Sequence, residues 1–327
     1  MARLGRTSAC PSVLQPYERN RIMPRARFAP WFVVWAVLLI GCSDLAMPAA
    51  PTDTAPSKAR LYLVGVGPGD ADLITLRAIE AIRQAQVVFC TDGIEKKFAS
   101  YVQGKEVVTG YWRLFEYYGK DPAQLQGPER EACQRIAARR DEFISKVRRA
   151  IGEGKTVAIL DHGDPLLYGP WAWCLEEFED LHPVVVPGLS CFNAANAALA
   201  RGITNSQQTK SVILTANDWP GKTDTIEKLS VHGSTMVLFT MRAEFSYFIE
   251  QLARHYPPQT PVAVVKYAGY RDKEEVIRGK LGTIVEQIGP ERLPFEYLLY
   301  VGDFLEYRHK PAGPKSAPSK APQAARR

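Results

Sequence analysis

A short apolar run of strand formers, Leu61 to Val66, breaks off in Gly67-Pro68-Gly69-Asp70, and this junction constrains the chain more than any other stretch. The run has the character of a parallel strand covered on both faces, because such strands are apolar at successive positions and not only at alternate ones. Gly65, Gly67, Pro68 and Gly69 end it, and Asp70 is placed to cap the next segment. Leu73, Leu76, Ile79 and Ile82 then recur every third residue, which predicts a helix with one apolar stripe. Val87 to Cys90 predicts a second strand. The spacing is that of a strand–turn–helix–strand unit opening an α/β domain.

A glycine-rich turn between strand and helix invites a dinucleotide reading, and the residues argue against it. The fingerprint Gly-x-Gly-x-x-Gly needs its third glycine where this chain has Asp70, and Gly69 comes one place early. Pro68 removes a backbone N–H from a loop that would have to cradle pyrophosphate, and a carboxylate at the helix start repels phosphate.

The 327 residues have room for one large or two modest domains. Their formal charge of +6 is unevenly spread: residues 1–27 carry +5, 28–60 balance to zero and 308–327 carry +6, which leaves 61–307 at −5. A mildly acidic body removes the electrostatic case for nucleic acid, so no such partner is expected. Phe28 to Ile40 is apolar apart from Pro30 and comes just after Arg25 and Arg27, with the length of a signal-peptide core and not of a membrane span. It ends in Leu39-Ile40-Gly41-Cys42-Ser43, which resembles the lipobox of bacterial lipoproteins; a chance apolar run beside a cysteine is the plainer reading. On the lipobox reading Met23 is the natural start, Cys42 carries the lipid, and the protein is a membrane-attached lipoprotein of a bacterial envelope, with the cytoplasm as the alternative. Residues 1–42 are then a signal segment, 43–60 a flexible linker rich in Ala, Pro, Ser and Thr, and 308–327 a basic disordered tail. The six cysteines show no Cys-x-x-Cys pair and no histidine at ligand spacing, so neither a disulfide scaffold nor a metal site is expected. Cys90, Cys174 and Cys191 read as small core residues.

Further along, Tyr111, Trp112, Phe115, Tyr117 and Tyr118 crowd one stretch. Such a loop either folds its aromatics onto the core or offers a wall to a flat apolar ligand. Pro128 to Ile151 predicts a long charged helix burying Ala132, Ile136, Ile144, Val147 and Ile151, stopped by Gly152 and Gly154. Thr156 to Leu160 predicts a strand running into Asp161-His162-Gly163-Asp164-Pro165-Leu166-Leu167-Tyr168-Gly169. Ligands of open α/β sheets bind off such carboxyl ends. Gly163 lets a ligand approach the backbone, Asp164 can accept hydrogen bonds, and Pro165 fixes the turn; a capped tight turn is the structural alternative. Val184 to Val186 predicts a strand, and Pro187-Gly188-Leu189-Ser190-Cys191 leads into a small-residue helix, Asn193 to Ala200, with Ser190 as its cap or a ligand hydroxyl. The chain turns polar between Arg201 and Gln208, which divides an N-terminal domain, 61–205, from a C-terminal one, 206–307. In the latter, Val212–Thr215, Thr235–Phe239, Val262–Val265 and Glu296–Val301 predict strands and Glu244–His255 a helix.

Taken in order, these segments resemble the motifs of the tetrapyrrole (corrin/porphyrin) methylases, the S-adenosylmethionine-dependent family that includes the uroporphyrinogen and precorrin C-methyltransferases. Residues 64–78 resemble its opening, 156–169 its strand–Gly-Asp-Pro-x-x-(Tyr/Phe)-Gly motif, and 184–200 its strand–Pro-Gly motif and small-residue helix. Residues 235–241, 260–265 with 279–284, and the closing strand at 295–304 resemble the later ones, so the likeness covers about 61–307. It implies an α/β fold of two α/β domains with a ligand cleft between them, a homodimer, and methyl transfer from S-adenosylmethionine to a tetrapyrrole or related large planar substrate. Carried over by position, the cofactor site is Pro68, His162, Gly163, Asp164, Leu167, Ser190, Cys191, Met241 and Ala268. Gly67, Gly69, Asp70, Tyr111 and Trp112 are the substrate-side candidates. Some members have glycine at the places of His162 and Ala268, and alanine is common at that of Cys191. The reaction needs positioning, a water-poor cleft and a base for the ring proton. The aspartate proposed as that base in the uroporphyrinogen enzymes aligns with Thr91, which makes Asp92, one residue on, the candidate here; its partner lysine has no counterpart near Val108–Tyr111. The other function class is a non-catalytic envelope lipoprotein that keeps the fold to bind a tetrapyrrole, with His162 as an axial ligand. Export away from a cytoplasmic donor favours that class, and the retained loops favour the enzyme.

Overall fold

The structure, a computed structural model, describes residues 59–309 apart from 242, 243 and 291. The first half forms a five-stranded sheet of β1 (Leu61–Gly65), β2 (Val87–Cys90), β3 (Glu106–Val108), β4 (Val157–Asp161) and β5 (Val184–Val186), in which the apolar runs β1, β2 and β4 are the inner strands. All are parallel, in the order β3-β2-β4-β1-β5. Helices α1 (Leu76–Gln84), α2 (Ile94–Lys97), α3 (Ala99–Val102), α4 (Gly127–Gly152) and α5 (Cys174–Glu177) connect them. Alternate residues of each strand feed two cores. Leu61, Leu63, Phe89 and Ile159 meet Phe143 of α4, Trp171 and Trp173, whereas Tyr62, Val64, Val88 and Leu160 meet Ala78 and Ile82 of α1 and Phe98. Burial on both faces is the reason the strands read as unbroken apolar runs.

Two helices differ from expectation. Residues 71–73 form a separate 3₁₀ turn, so α1 starts at Leu76 and is capped by Thr75, whose Oγ1 accepts from Ala78 N at 3.1 Å; Asp70 caps nothing with its side chain. The buried stripe of α1 is accordingly Ala78, Ala81 and Ile82, and Leu76 is 86% exposed. In α4 the buried side is Cys133, Arg140, Phe143, Val147 and Ala150, with Ile144 and Ile151 at its margin. Phe143 sets that face, and Arg140 is drawn in by the aromatic loop: its Nε donates to Leu114 O at 2.7 Å and its guanidinium lies 5.3 Å from the Tyr118 ring.

Helix α6 (Cys191–Leu199) leads to a second sheet of β6 (Val212–Ala216), β7 (Thr235–Phe239), β8 (Pro261–Lys266), β9 (Glu275–Lys280) and β10 (Tyr297–Val301). Its order is β6-β7-β10-β8-β9; β6 and β7 are parallel and the other pairs antiparallel. α7 (Ile226–Ser230), α8 (Phe245–Leu252) and α9 (Ile284–Ile288) cover one face. The other face is covered by α6, whose Ala195 and Leu199 meet Val237, Ala263, Val265 and Tyr300. Tyr300 Oη donates to Asn196 Oδ1 at 2.9 Å, so a helix of the first half is welded to the sheet of the second. The strands without a sequence signal, β3 and β9, are both edges, and their exposed Glu106, Glu275 and Arg278 hide the apolar pattern. Among the described residues no helix is long and apolar enough to cross a membrane. Cys42, the expected signal segment and most of the linker and of the basic tail lie outside them.

Candidate active site

The carboxyl ends of three adjacent strands, β4, β1 and β5, point the same way and release their loops at one place. Val66 N donates to Asp161 O at 2.9 Å, Gly163 N to Gly67 O at 3.0 Å and Gly67 N to Gly163 O at 3.4 Å. Glycine is required for this approach. A Cβ on Gly188 would stand 2.1 Å from Gly163 O and 2.8 Å from Gly65 O, and one on Gly65 would stand 2.6 Å from Gly188 N. Gly163 is different: its φ is +69°, and a Cβ there would meet nothing nearer than Leu189 O at 3.7 Å. Its outer face is open, as a backbone that receives a ligand must be.

Loops of the second half close on the same junction. Asp70 N donates to Gly269 O at 2.9 Å, Arg271 N returns to Asp70 Oδ2 at 3.0 Å, and the Arg271 guanidinium pairs with Asp72. Lys97 of α2 bolts both sides, its Nζ donating to Gly69 O at 2.7 Å and to Tyr270 Oη at 3.1 Å. The Tyr168 ring lies 4.6 Å from that of Phe239 at the end of β7. Leu167 and Ala268 join the core around α6, and Met241, two residues past Phe239, is 37% exposed at the rim.

The side chains divide by task. Asp164 Oδ1 accepts from Leu166 N at 2.8 Å and so holds the turn, while Oδ2 has no partner among the described residues. Ser190 is buried and caps α6: its Oγ accepts from Phe192 N at 3.2 Å, and Asn193 Oδ1 accepts from Ser190 N at 3.0 Å. Burial pushes the Cys191 thiol up, so it is no nucleophile. Asp161, under the loop, is buried with Oδ2 unpartnered. Burial pushes its carboxyl up to about 8, Asp164 adds to the shift, and the amides of Trp171 and His162 oppose it. Crowding on the cleft side and the charge of Lys97 both push His162 down; part of its ring still meets solvent, and the two causes agree in sign, so the imidazole is neutral at pH 7.

Pro68, His162, Gly163, Asp164, Leu167, Ser190, Cys191 and Ala268 therefore meet at one junction, with Met241 at its edge. The substrate-side residues do not stay together. Gly67 is used in the bridge to Gly163, Gly69 packs on Gly269, and Asp70 holds the Arg271 backbone. Tyr111 is core, its ring 5.4 Å from Phe143 and its hydroxyl donating to Glu142 at 2.9 Å, whereas Trp112 is 47% exposed. The aromatic loop is thus divided: Tyr111 is buried under α4 with Leu114 and Tyr118 packs at the margin of that core, while Trp112 and Phe115 stay exposed. Asp92 is exposed, and its Oδ1 accepts from Gly110 N at 2.9 Å. Lys97, Gly269 and Arg271 carried no signal in the sequence: Lys97 sits in Glu95-Lys96-Lys97, which reads as a solvated turn.

The family model for tetrapyrrole (corrin/porphyrin) methylases matches residues 60–285. The chain belongs to that family. Precorrin-4 C(11)-methyltransferase of Rhodococcus erythropolis is 30% identical over 254 residues, which is 75% of this chain and 91% of the relative. Among solved structures, a cobalt precorrin-4 methyltransferase of cobalamin biosynthesis superposes with a TM-score of 0.60 at 25% identity, covering 77% of this chain and 98% of that one. Uroporphyrin-III C-methyltransferase of Thermus thermophilus, solved in complex with S-adenyl homocysteine, shares the fold with a TM-score of 0.53 at 20% identity over 76% of this chain and 99% of its own. The family's methyl donor is S-adenosylmethionine, and the junction suits it. Gly163 leaves its backbone face open, Asp164 has a free carboxylate oxygen for hydroxyls or an ammonium, and exposed Leu189 and Met241 supply apolar surface.

Proposed function

We propose that this protein transfers a methyl group from S-adenosylmethionine to a ring carbon of a tetrapyrrole of the uroporphyrinogen or precorrin type. The observation that carries the reading is the meeting of the β1, β4 and β5 loops at Gly65, Gly163 and Gly188, closed over by the Gly269 loop of the second sheet. Bound there, the donor supplies a methyl group on a positively charged sulfur. The chain's part is mostly positioning. Gly163 and Leu189 form the backbone side of the cradle, and Asp164 Oδ2 accepts from the donor's hydroxyls or ammonium. Neutral His162 and a protonated Asp161 keep the floor free of further net charge. Asp92, at the end of β2, is the exposed carboxylate that takes the ring proton through the oxygen not used by Gly110.

Incubation of the purified chain with S-adenosylmethionine and either reduced uroporphyrinogen III or precorrin-4 tests the proposal by mass spectrometry. Gain of one methyl group with equimolar S-adenosylhomocysteine supports it, and an unchanged macrocycle in both reactions defeats it. The relatives reported are all named as methyltransferases, so a non-catalytic tetrapyrrole-binding lipoprotein finds no support in them.

Membrane attachment is a separate proposal, resting on Phe28–Ile40 and the lipobox-like Leu39–Cys42. Labelled palmitate should enter the full chain in a bacterial host and be lost on Cys42→Ala; an unlabelled cytosolic product would rule it out.

A further inference from the structure

A concavity of about 590 Å³ opens at the far end of α6, away from the glycine junction. Three arginines from three segments line it: Arg201 just beyond α6, Arg278 of the edge strand β9, and Arg308 after β10. One carboxylate shares the space, Glu306, and both of its oxygens lie 2.7 Å from Lys280 Nζ. Arg278 Nη2 donates to Leu199 O at 2.7 Å, which orients the guanidinium into the concavity's wall. Arg201 and Arg308 have no carboxylate or carbonyl partner among the described residues. Burial and the charge of Arg201 both weaken the hold of Arg278 on its proton, and the one carboxylate at hand, Glu306, is paired with Lys280. This runs against the rest of the body, where 61–307 sum to −5.

We propose that this concavity is an anion site for a small molecule bearing two or more phosphate or carboxylate groups. Guanidinium groups bind such oxyanions through paired N–H donors, and three of them converging from separate segments suit a polyanion better than a single phosphate. The nine residues of α6 separate it from Ser190 by about 13 Å at the helical rise, so its occupant does not compete with the methyl donor.

The test is calorimetric titration of the full chain with inorganic pyrophosphate and, separately, with tricarballylate. Saturable binding to one site is expected for at least one of them, and the tighter ligand says whether phosphate or carboxylate is the natural chemistry. Arg201→Gln and Arg308→Gln should each weaken that binding by about tenfold, the worth of a charge-assisted hydrogen bond. Affinity for S-adenosylhomocysteine should stay unchanged in both variants. Arg308 is exposed and holds nothing in the fold, so Arg308→Gln reports on the site even where Arg201→Gln folds poorly. Absence of binding by either anion at millimolar concentration overturns the proposal, and so does binding that neither substitution weakens.

Discussion

Gly163 and Gly67 exchange backbone hydrogen bonds, 3.0 Å in one direction and 3.4 Å in the other, although they leave different strands and lie far apart in the chain. This two-residue antiparallel bridge ties the loop after β1 to the loop after β4. With Gly188 pressed against Gly163 from the third strand, backbone contacts tie the three loops to one another, and side chains such as Lys97 and Ser190 brace them from outside.

Gly188→Ala should therefore damage the protein through contact and not through backbone strain. Its new Cβ would stand 2.1 Å from Gly163 O, where no flexible side chain can yield. A loss of about 2–4 kcal/mol in denaturant unfolding is expected, as for other overpacked sites. Gly152→Ala is the matched control: nothing lies within 4 Å of its Cβ position at the end of α4, and a gain of about 0.5–1 kcal/mol is expected from helix propensity.

Asp161 gives the stability a pH dependence of definite sign. Its carboxyl is pushed up to about 8 in the fold, above its unfolded value, so the folded state holds the proton more tightly. The contribution is fully present below about pH 4 and is lost as pH rises through about 8, on the order of a few kcal/mol. Asp161→Asn has no proton to lose. Stability of this variant relative to wild type should improve progressively between those limits, read as midpoint shifts in urea at several pH values.

Asp92 separates two roles in one substitution. Asp92→Asn keeps an oxygen to accept from Gly110 N but removes the basic carboxylate. If Asp92 takes the ring proton, kcat falls by about 10²-fold or more while unfolding stability and donor affinity hold. A variant with wild-type kcat would leave Asp92 as a turn residue only.

Lys222 is a buried cation whose Nζ reaches Thr215 Oγ1 and Ala216 O at 3.0 Å and Asp218 Oδ1 at 3.1 Å. The other oxygen of Asp218 accepts from Tyr247 Oη at 2.8 Å. Lys222→Met leaves Asp218 buried without its counter-charge and should cost about 3–5 kcal/mol in chemical unfolding. The double variant with Asp218→Leu should recover only part of that loss: it removes the unpaired charge but leaves Tyr247 Oη and Ile226 N without the acceptor they use.

The legible part of the fold is the part where the hydrophobic effect acts on both sides of a strand. β1, β2 and β4 lie within a residue of their predicted bounds, and so does β7, because each is covered on both faces and carries unbroken apolar residues; β5, an edge with Val184 exposed, is legible from its Val-Val-Val run alone. β9 is hidden by its exposed Glu275 and Arg278, and the face of α4 is rotated by a residue because Phe143 outweighs the isoleucines beside it. The motif loops announce themselves through Gly163, Asp164, Gly188 and Ser190, whose types are demanded by turn and cap geometry. Lys97, Arg271 and Gly269 are invisible beforehand, because each acts across more than a hundred residues or through backbone atoms that have no sequence signature. Tyr111 shows the converse: an aromatic stretch has the same composition whether it faces ligand or core, and only α4 decides.

The central claim is that the junction of Gly67, Gly163 and Gly188 holds the methyl donor with help from the free oxygen of Asp164. Calorimetric titration of the full chain with S-adenosylhomocysteine tests it most directly. One saturable site is predicted in the wild type, weakened by about tenfold or more in Asp164→Ala, as loss of hydrogen bonds to a charged acceptor implies. No heat at millimolar ligand, or equal affinity in the variant, would contradict the account.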